Sequence, residues 1–381
     1  MKTPKTTNRH ASRQAWDGKS GMTNIVILGA GVMGSALASV AAARNNVTLV
    51  GSPLDKDIIS SLKSSGPHPG LRLDLPESIT AIDANELKDE TMKRADVIVI
   101  GVSSPGVEWA LKLIEHHHAS PDILALVTKG LVSTENEQSA PRTYAQSIGA
   151  ELTTPSGSIV GIGGPCIARE LAAGYPTRVC FASKNIAVAN KLRELLSTDY
   201  YSIATHTDFT GLEACAALKN FMCIGVSTMF TAHRLDDSNA KNPLAALFNQ
   251  AVLEISLLSR WIKANNNSAS ADSNAHANTV GQDLAFDLAG MGDLHVTVGG
   301  GRNSMLGQHL GRGRHLKDIL ATDMHNVTVE GVDTGRQLLP GFRYACEHGT
   351  LKVDDFPVTC AILDVIENDR PFAFDFGSLP G

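Results

Sequence analysis

Apolar positions along this chain change their spacing once, near residue 205, and that change divides the molecule. Upstream, short and largely unbroken apolar runs recur at 25–28, 47–50, 97–102, 123–127, 159–162 and 179–182. Runs of this kind, bounded by turns, predict strands buried on both faces, as in a parallel sheet with helices on either side. Helical patterns lie between them, the first being the alanine-rich stretch 35–44 that follows the glycine turn GAGVMG. Downstream the texture is helical almost throughout, at 209–230, 245–263, around Leu284 and at 332–348. The expected class is α/β, a doubly wound sheet over residues 24–204 followed by an all-α domain over 205–381.

Two stretches fall outside this scheme. Residues 1–23 set Lys2, Lys5, Arg9, Arg13 and Lys19 against one acid, Asp17, and show no apolar period, which predicts a disordered leader with Met22 as a candidate start. Residues 264–280, rich in Asn, Ser and Ala, predict a mobile loop between two helices. The formal charge of −6 supplies no basic face for nucleic acid, and charged residues interrupt each apolar run before membrane-spanning length. Neither a nucleic-acid nor a membrane partner is expected, and a cytoplasmic location is. Six cysteines without a CxxC pair fit small hydrophobes in a reducing compartment better than disulfides or zinc. His116, His117 and His118 predict a solvated helix end, since adjacent helical residues point apart, and no metal site is expected.

The strand, turn and helix at residues 24–44 carry the first chemistry. Gly29 permits a tight turn, Gly31 lets a pyrophosphate approach the backbone, and Gly34 allows close helix packing. Ala30, Val32 and Met33 complete a loop whose N–H groups would face the phosphates, which predicts a Rossmann-type dinucleotide site. At the tip of the second strand, Gly51, Ser52 and Pro53 offer neither an acid for a ribose 2′-hydroxyl nor an Arg for a 2′-phosphate. Asp55, Lys56 and Asp57 follow too late, so NAD and NADP both stay open. Two later strand ends are polar, with Ser103 in GVSSP and Lys129 in VTKG. The helix at 209–230 carries one cation, Lys219, on the face marked by Cys215 and Cys223. A lone ammonium among small apolar side chains must pair or shed its proton, as a catalytic acid does.

The segments GAGVMGSALA, VTKGL, GGPCIARELAAGYPT, EACAALKN, LAGMGDLHVT, GGRN and VEG occur in that order between Gly29 and Gly331. In order and spacing they resemble the soluble NAD(P)-dependent glycerol-3-phosphate dehydrogenases. The resemblance implies that Lys219 is the catalytic lysine at the substrate carbonyl, with Lys129 and Asp293 beside it. It implies a substrate pocket lined by Lys129, Gly164, Cys166, Asn220, Thr297, Arg302 and Asn303. Cofactor contacts would come from the glycine turn, Ser103, Lys129, Ala168, Arg302 and Glu330, and a homodimer is implied for the whole protein. The chain departs from the family where Met33 replaces an aromatic residue, where Leu131 and Val132 follow the Lys-Gly pair, and where Cys166 replaces a hydroxyl.

Hydride reduction of a ketone puts negative charge on oxygen, so the site needs a cation aimed there, a part suited to Lys219 with Asp293 orienting it. A phosphorylated small-molecule substrate would want a forked donor and helix N–H groups, offered by Arg302 and by a helix opening at Asn303. Two alternatives stand beside interconversion of sn-glycerol 3-phosphate and dihydroxyacetone phosphate. One is the same hydride chemistry on another small phosphorylated or carboxylated ketose or polyol. The other is a non-catalytic dinucleotide-binding sensor.

Overall fold

A computed structural model describes residues 22–379 except 135, 137, 152–157, 236–237 and 268–282. The leader lies almost wholly outside the described residues, as does most of the Asn-rich segment. Eight strands form one sheet: β1 (Asn24–Leu28), β2 (Asn46–Gly51), β3 (Ile79–Asp83), β4 (Val97–Ile100), β5 (Ile123–Leu126), β6 (Ile159–Gly163), β7 (Thr177–Ala182) and β8 (Tyr201–His206). Their order is β8-β7-β6-β5-β4-β1-β2-β3, parallel except where β7 runs against β6. The reversal of order between β1 and β4 opens a crevice beyond the carboxyl ends of those strands, where the glycine turn emerges. This is the expected doubly wound sheet.

The strands β3 and β8 carry no unbroken apolar run, and the sequence pattern misses both. The first is an edge strand of half-buried and exposed residues, and the second alternates apolar with polar positions. Helix α1 (Val32–Ala41) starts three residues before the alanine-rich stretch, inside the glycine motif, so its first turn is presented to the crevice. The histidine run does end a helix, but His117 is buried and its Nδ1 lies 2.7 Å from Asp89 Oδ1, so it is not solvated.

Helix α2 (Phe209–Ala232) is the hub of the second half. It is long and apolar enough to cross a membrane, contrary to the sequence expectation, but 89% of its apolar window is buried within the fold. Because it is buried on every side, the face marked by Cys215, Lys219 and Cys223 is not set apart by burial. Around it pack α3 (Lys241–Asn267), α4 (Asp293–Val298), α5 (Arg302–Leu310), α6 (Glu330–Glu347) and α7 (Pro357–Asn368). Glycines let two of these approach α2 backbone to backbone. A Cβ at Gly331, Gly307 or Gly311 would collide with the carbonyls of Asn220, Ile224 and Thr228, which succeed one another by one turn. That contact fixes the N-terminal ends of α5 and α6 beside Lys219 and Asn220. One apolar core runs from sheet residues such as Leu28, Ile100 and Leu126 into Leu218 and Phe221 of α2.

Candidate active site

The glycine turn is shaped by contacts a side chain would destroy. Gly29 has φ 114°, and a Cβ there would come within 2.7 Å of Val102 Cγ1. A Cβ at Gly34 would strike the Gly29 carbonyl, so α1 lies directly on the turn. Gly31 faces open space, and no side chain caps α1, which leaves its first N–H groups for a ligand. These features fit the pyrophosphate of a dinucleotide. Val32 is exposed and Met33 half-buried, while Ser103 stands exposed just past β4. Asp55 is nearer than its sequence position suggests: its Oδ2 accepts from Ala30 N at 3.1 Å and Ser52 N at 2.8 Å. That oxygen is thereby engaged by the backbone of the glycine turn and of the strand end.

Two lysines share one carboxylate. Lys129 Nζ donates to Asp293 Oδ2 at 2.6 Å, and Lys219 Nζ lies 3.0 Å from Asp293 Oδ1. Lys219 also donates to Thr297 Oγ1 at 2.7 Å, and that hydroxyl donates to the Asp293 carbonyl at 2.7 Å. Lys219 and Asp293 are almost fully buried. Burial pushes the Lys219 pKa down, Lys129 adds to the push, and Asp293 only partly opposes it. Burial also acts against Lys129, but there Asp293 wins and its pKa is raised. Burial would raise Asp293, yet the two ammonium groups hold it below the usual carboxylate range. The two ammonium groups are thus driven apart, Lys129 toward holding its proton and Lys219 toward easier release.

Asp293 reaches this position through a widened turn. Residues Leu288–Gly292 form a π-helical segment, with Gly292 N–H donating to Asp287 O at 3.1 Å, immediately before α4. Gly164 (φ 117°) and Pro165 lie against it: a Cβ added at Gly164 would be 3.5 Å from Leu288 Cβ, and one added at Gly292 would be 3.6 Å from Pro165 Cδ. Cys166 follows, half-buried, and burial raises its thiol to about 11 against the pull of Lys129, so it is neutral near pH 7. Ala168 opens the short helix Ala168–Ala172, which packs on α1 and links this segment to the glycine turn.

A second network adjoins the first. Arg302 Nη2 donates to Glu330 Oε1 at 3.0 Å, and Asn220 Nδ2 donates to Glu330 Oε2 at 3.1 Å. Asn303 Nδ2 donates to Asn220 Oδ1 at 3.1 Å, while Asn303 Oδ1 accepts from Gly331 N at 2.9 Å. Asn303 is therefore a brace, and α5 opens at Arg302, one residue earlier than expected. Its N-cap Gly301 (φ 95°) supplies no side chain, so the first N–H groups of α5 have no side-chain cap, and the Arg302 guanidinium at the start of that turn is half-exposed. Sequence reasoning missed Ser35 and His68, which hold the glycine turn; Ser104, in the GVSSP turn, donates from Oγ to the Lys129 carbonyl at 3.2 Å. Ser35 and His68 lie in no pattern that periodicity reveals.

Comparison with known proteins follows the same two halves. The profile of the NAD-dependent glycerol-3-phosphate dehydrogenase N-terminus matches residues 24–189, and that of its C-terminus matches residues 208–373. An NADP(+)-dependent glycerol-3-phosphate dehydrogenase of Archaeoglobus fulgidus is 30% identical over 78% of this chain and 82% of its own length. A glycerol-3-phosphate dehydrogenase [NAD(P)+] of Thiobacillus denitrificans is 32% identical over 82% of this chain and 86% of its own. Among solved structures, glycerol-3-phosphate dehydrogenase of Coxiella burnetii shares the fold, with TM-score 0.69, 24% identity and coverage of 91% and 95%. That of Plasmodium falciparum superposes with TM-score 0.73 at 15% identity, covering 92% and 93%.

Proposed function

This chain belongs to the NAD-dependent glycerol-3-phosphate dehydrogenase family, and from that premise we propose that it interconverts sn-glycerol 3-phosphate and dihydroxyacetone phosphate with Lys219 as the proton-transferring group. The observation that carries this is the pair of lysines on Asp293, Lys219 buried and Lys129 partly buried, with opposed pKa shifts.

The nicotinamide of NAD or NADP, when bound, gives or takes the hydride at the reacting carbon. In ketone reduction the Lys219 ammonium faces the carbonyl oxygen, steadies the negative charge that develops there and delivers its proton. A depressed pKa makes that delivery easier, and in the reverse direction neutral Lys219 accepts the alcohol proton. Thr297 aims Nζ by accepting from it, and Asp293 with protonated Lys129 keeps the cluster from losing its charge balance as Lys219 titrates. The phosphate sits at the N-terminus of α5, with Arg302 as forked donor, and Gly164 and Cys166 close the pocket from the side of β6. Asn220 and Asn303 hold these elements in register, and Glu330 bridges Arg302 to Asn220 near the cofactor.

Steady-state rates with dihydroxyacetone phosphate under NADH and under NADPH test this reading. Turnover with at least one cofactor is expected, and a stronger rate on another ketone or none on any polyol phosphate would contradict it. We further infer a cytoplasmic homodimer. Six unpaired cysteines support a reducing compartment, and light scattering at twice the 40.3 kDa chain mass is the expected result.

A further inference from the structure

We propose that His68 is a positioning residue for the cofactor: it locks the peptide of Ala30, at the centre of the glycine turn, in the orientation that aims the following N–H groups at the pyrophosphate. The inference rests on the dinucleotide reading of that turn.

His68 is fully buried. Its Nδ1 accepts from Gly70 N and Leu71 N, both at 3.1 Å, and since those donors are backbone N–H groups Nδ1 must be the unprotonated nitrogen. Nε2 therefore carries the hydrogen and donates to Ala30 O at 3.0 Å. Ser35 Oγ donates to the same carbonyl at 2.9 Å, and Ala30 N–H donates to Asp55 Oδ2 at 3.1 Å. Both peptide planes flanking Ala30 are thus held, by side chains from three segments of chain.

The loop that bears His68 has a costly shape. Ser65 (φ 56°) and Arg72 (φ 55°) sit in the left-handed region, and His68 N donates to Leu73 O at 2.9 Å, closing the loop on itself. A Cβ at Gly70 would come within 2.7 Å of Val32 Cγ1, so the loop lies directly on the first residue of α1. The imidazole uses one nitrogen to fold its own loop and the other to fix the turn beneath. A phosphate cradle works by donors already in place, because ordering them at the moment of binding would subtract from affinity.

The two nitrogens can be separated by substitution. Gln at this position keeps a donor where Nε2 stood, and Asn keeps an acceptor where Nδ1 stood. His68→Asn is expected to weaken NADH and NADPH binding, followed by nicotinamide fluorescence in the absence of substrate, by about five- to tenfold, the loss of one well-placed hydrogen bond. Its KM for the cofactor should rise in step, with kcat and the KM for dihydroxyacetone phosphate unchanged. His68→Gln should bind cofactor within about twofold of wild type while its cofactor-free melting temperature falls. Equal cofactor affinity in His68→Asn and wild type, or equal loss in both variants, would overturn the proposal. A wild-type protein that binds neither dinucleotide would overturn the reading beneath it as well.

Discussion

At the scale of single residues, the proposed chemistry turns on one carboxylate between two ammonium groups. Asp293→Asn removes the charge that partly supports protonated Lys219, so its pKa should fall further. If Lys219 is the proton donor proposed above, ketone reduction needs it protonated, and its rate should fall as pH rises through that pKa. In the variant this limb should move to lower pH, with kcat down by about a hundredfold at neutral pH. An unshifted pH–rate profile would count against the assigned roles. Cys166, neutral with its thiol near 11, carries no charge for catalysis, so Cys166→Ser should leave the pH profile unmoved and alter substrate KM by less than about threefold. Lys219 was legible in the sequence because it is the one cation in a long apolar helix. Its pairing with Asp293 was legible only through the motif resemblance, and the grip of His68 and Asp55 on Ala30 was not, since no local pattern announces contacts so distant along the chain.

At the scale of elements, buried strands and the hub helix announced themselves by composition, whereas β3, β8 and the π-helical turn before Asp293 did not. Edge strands carry polar residues that mimic loops, and a π turn is set by packing against Gly164 and Pro165 rather than by residue type. The close approach of α5 to α2 makes Gly307→Ala informative. Its methyl would strike the Ile224 carbonyl, costing about 1–3 kcal/mol of stability and raising substrate KM by displacing Arg302, as a thermal melt and a rate curve would record. A loss of stability without a change in KM would mean that α5 is not the phosphate-binding element. Glu213, on α2, is buried against the segment Tyr144–Glu151, where its Oε2 accepts from Ala145 N at 3.2 Å. Burial raises its pKa from 4.5 to about 7. Between those values the folded protein holds a proton the unfolded chain has released, so this group lowers stability as pH rises through the window. Glu213→Gln should melt like wild type near pH 4 and hotter at pH 8, by up to about 3 kcal/mol. Identical melting at both pH values would show that Glu213 titrates normally.

At the scale of the whole molecule, one shared core holds the sheet, to which the dinucleotide cradle is assigned in the proposed function, in register with the helices to which proton transfer is assigned. The passage from sheet to helices after β8 (Tyr201–His206) coincides with a change of apolar period in the sequence. What no period conveys is that Lys129 from the end of β5 and Lys219 from α2 converge on a carboxylate from α4. That convergence is the central claim, and Lys219→Ala tests it most directly when NADH binding and dihydroxyacetone phosphate reduction are measured on the same sample. Dinucleotide affinity within about twofold of wild type and a kcat lower by at least about a thousandfold are expected. Turnover near the wild-type rate in a folded, NADH-binding variant would contradict it.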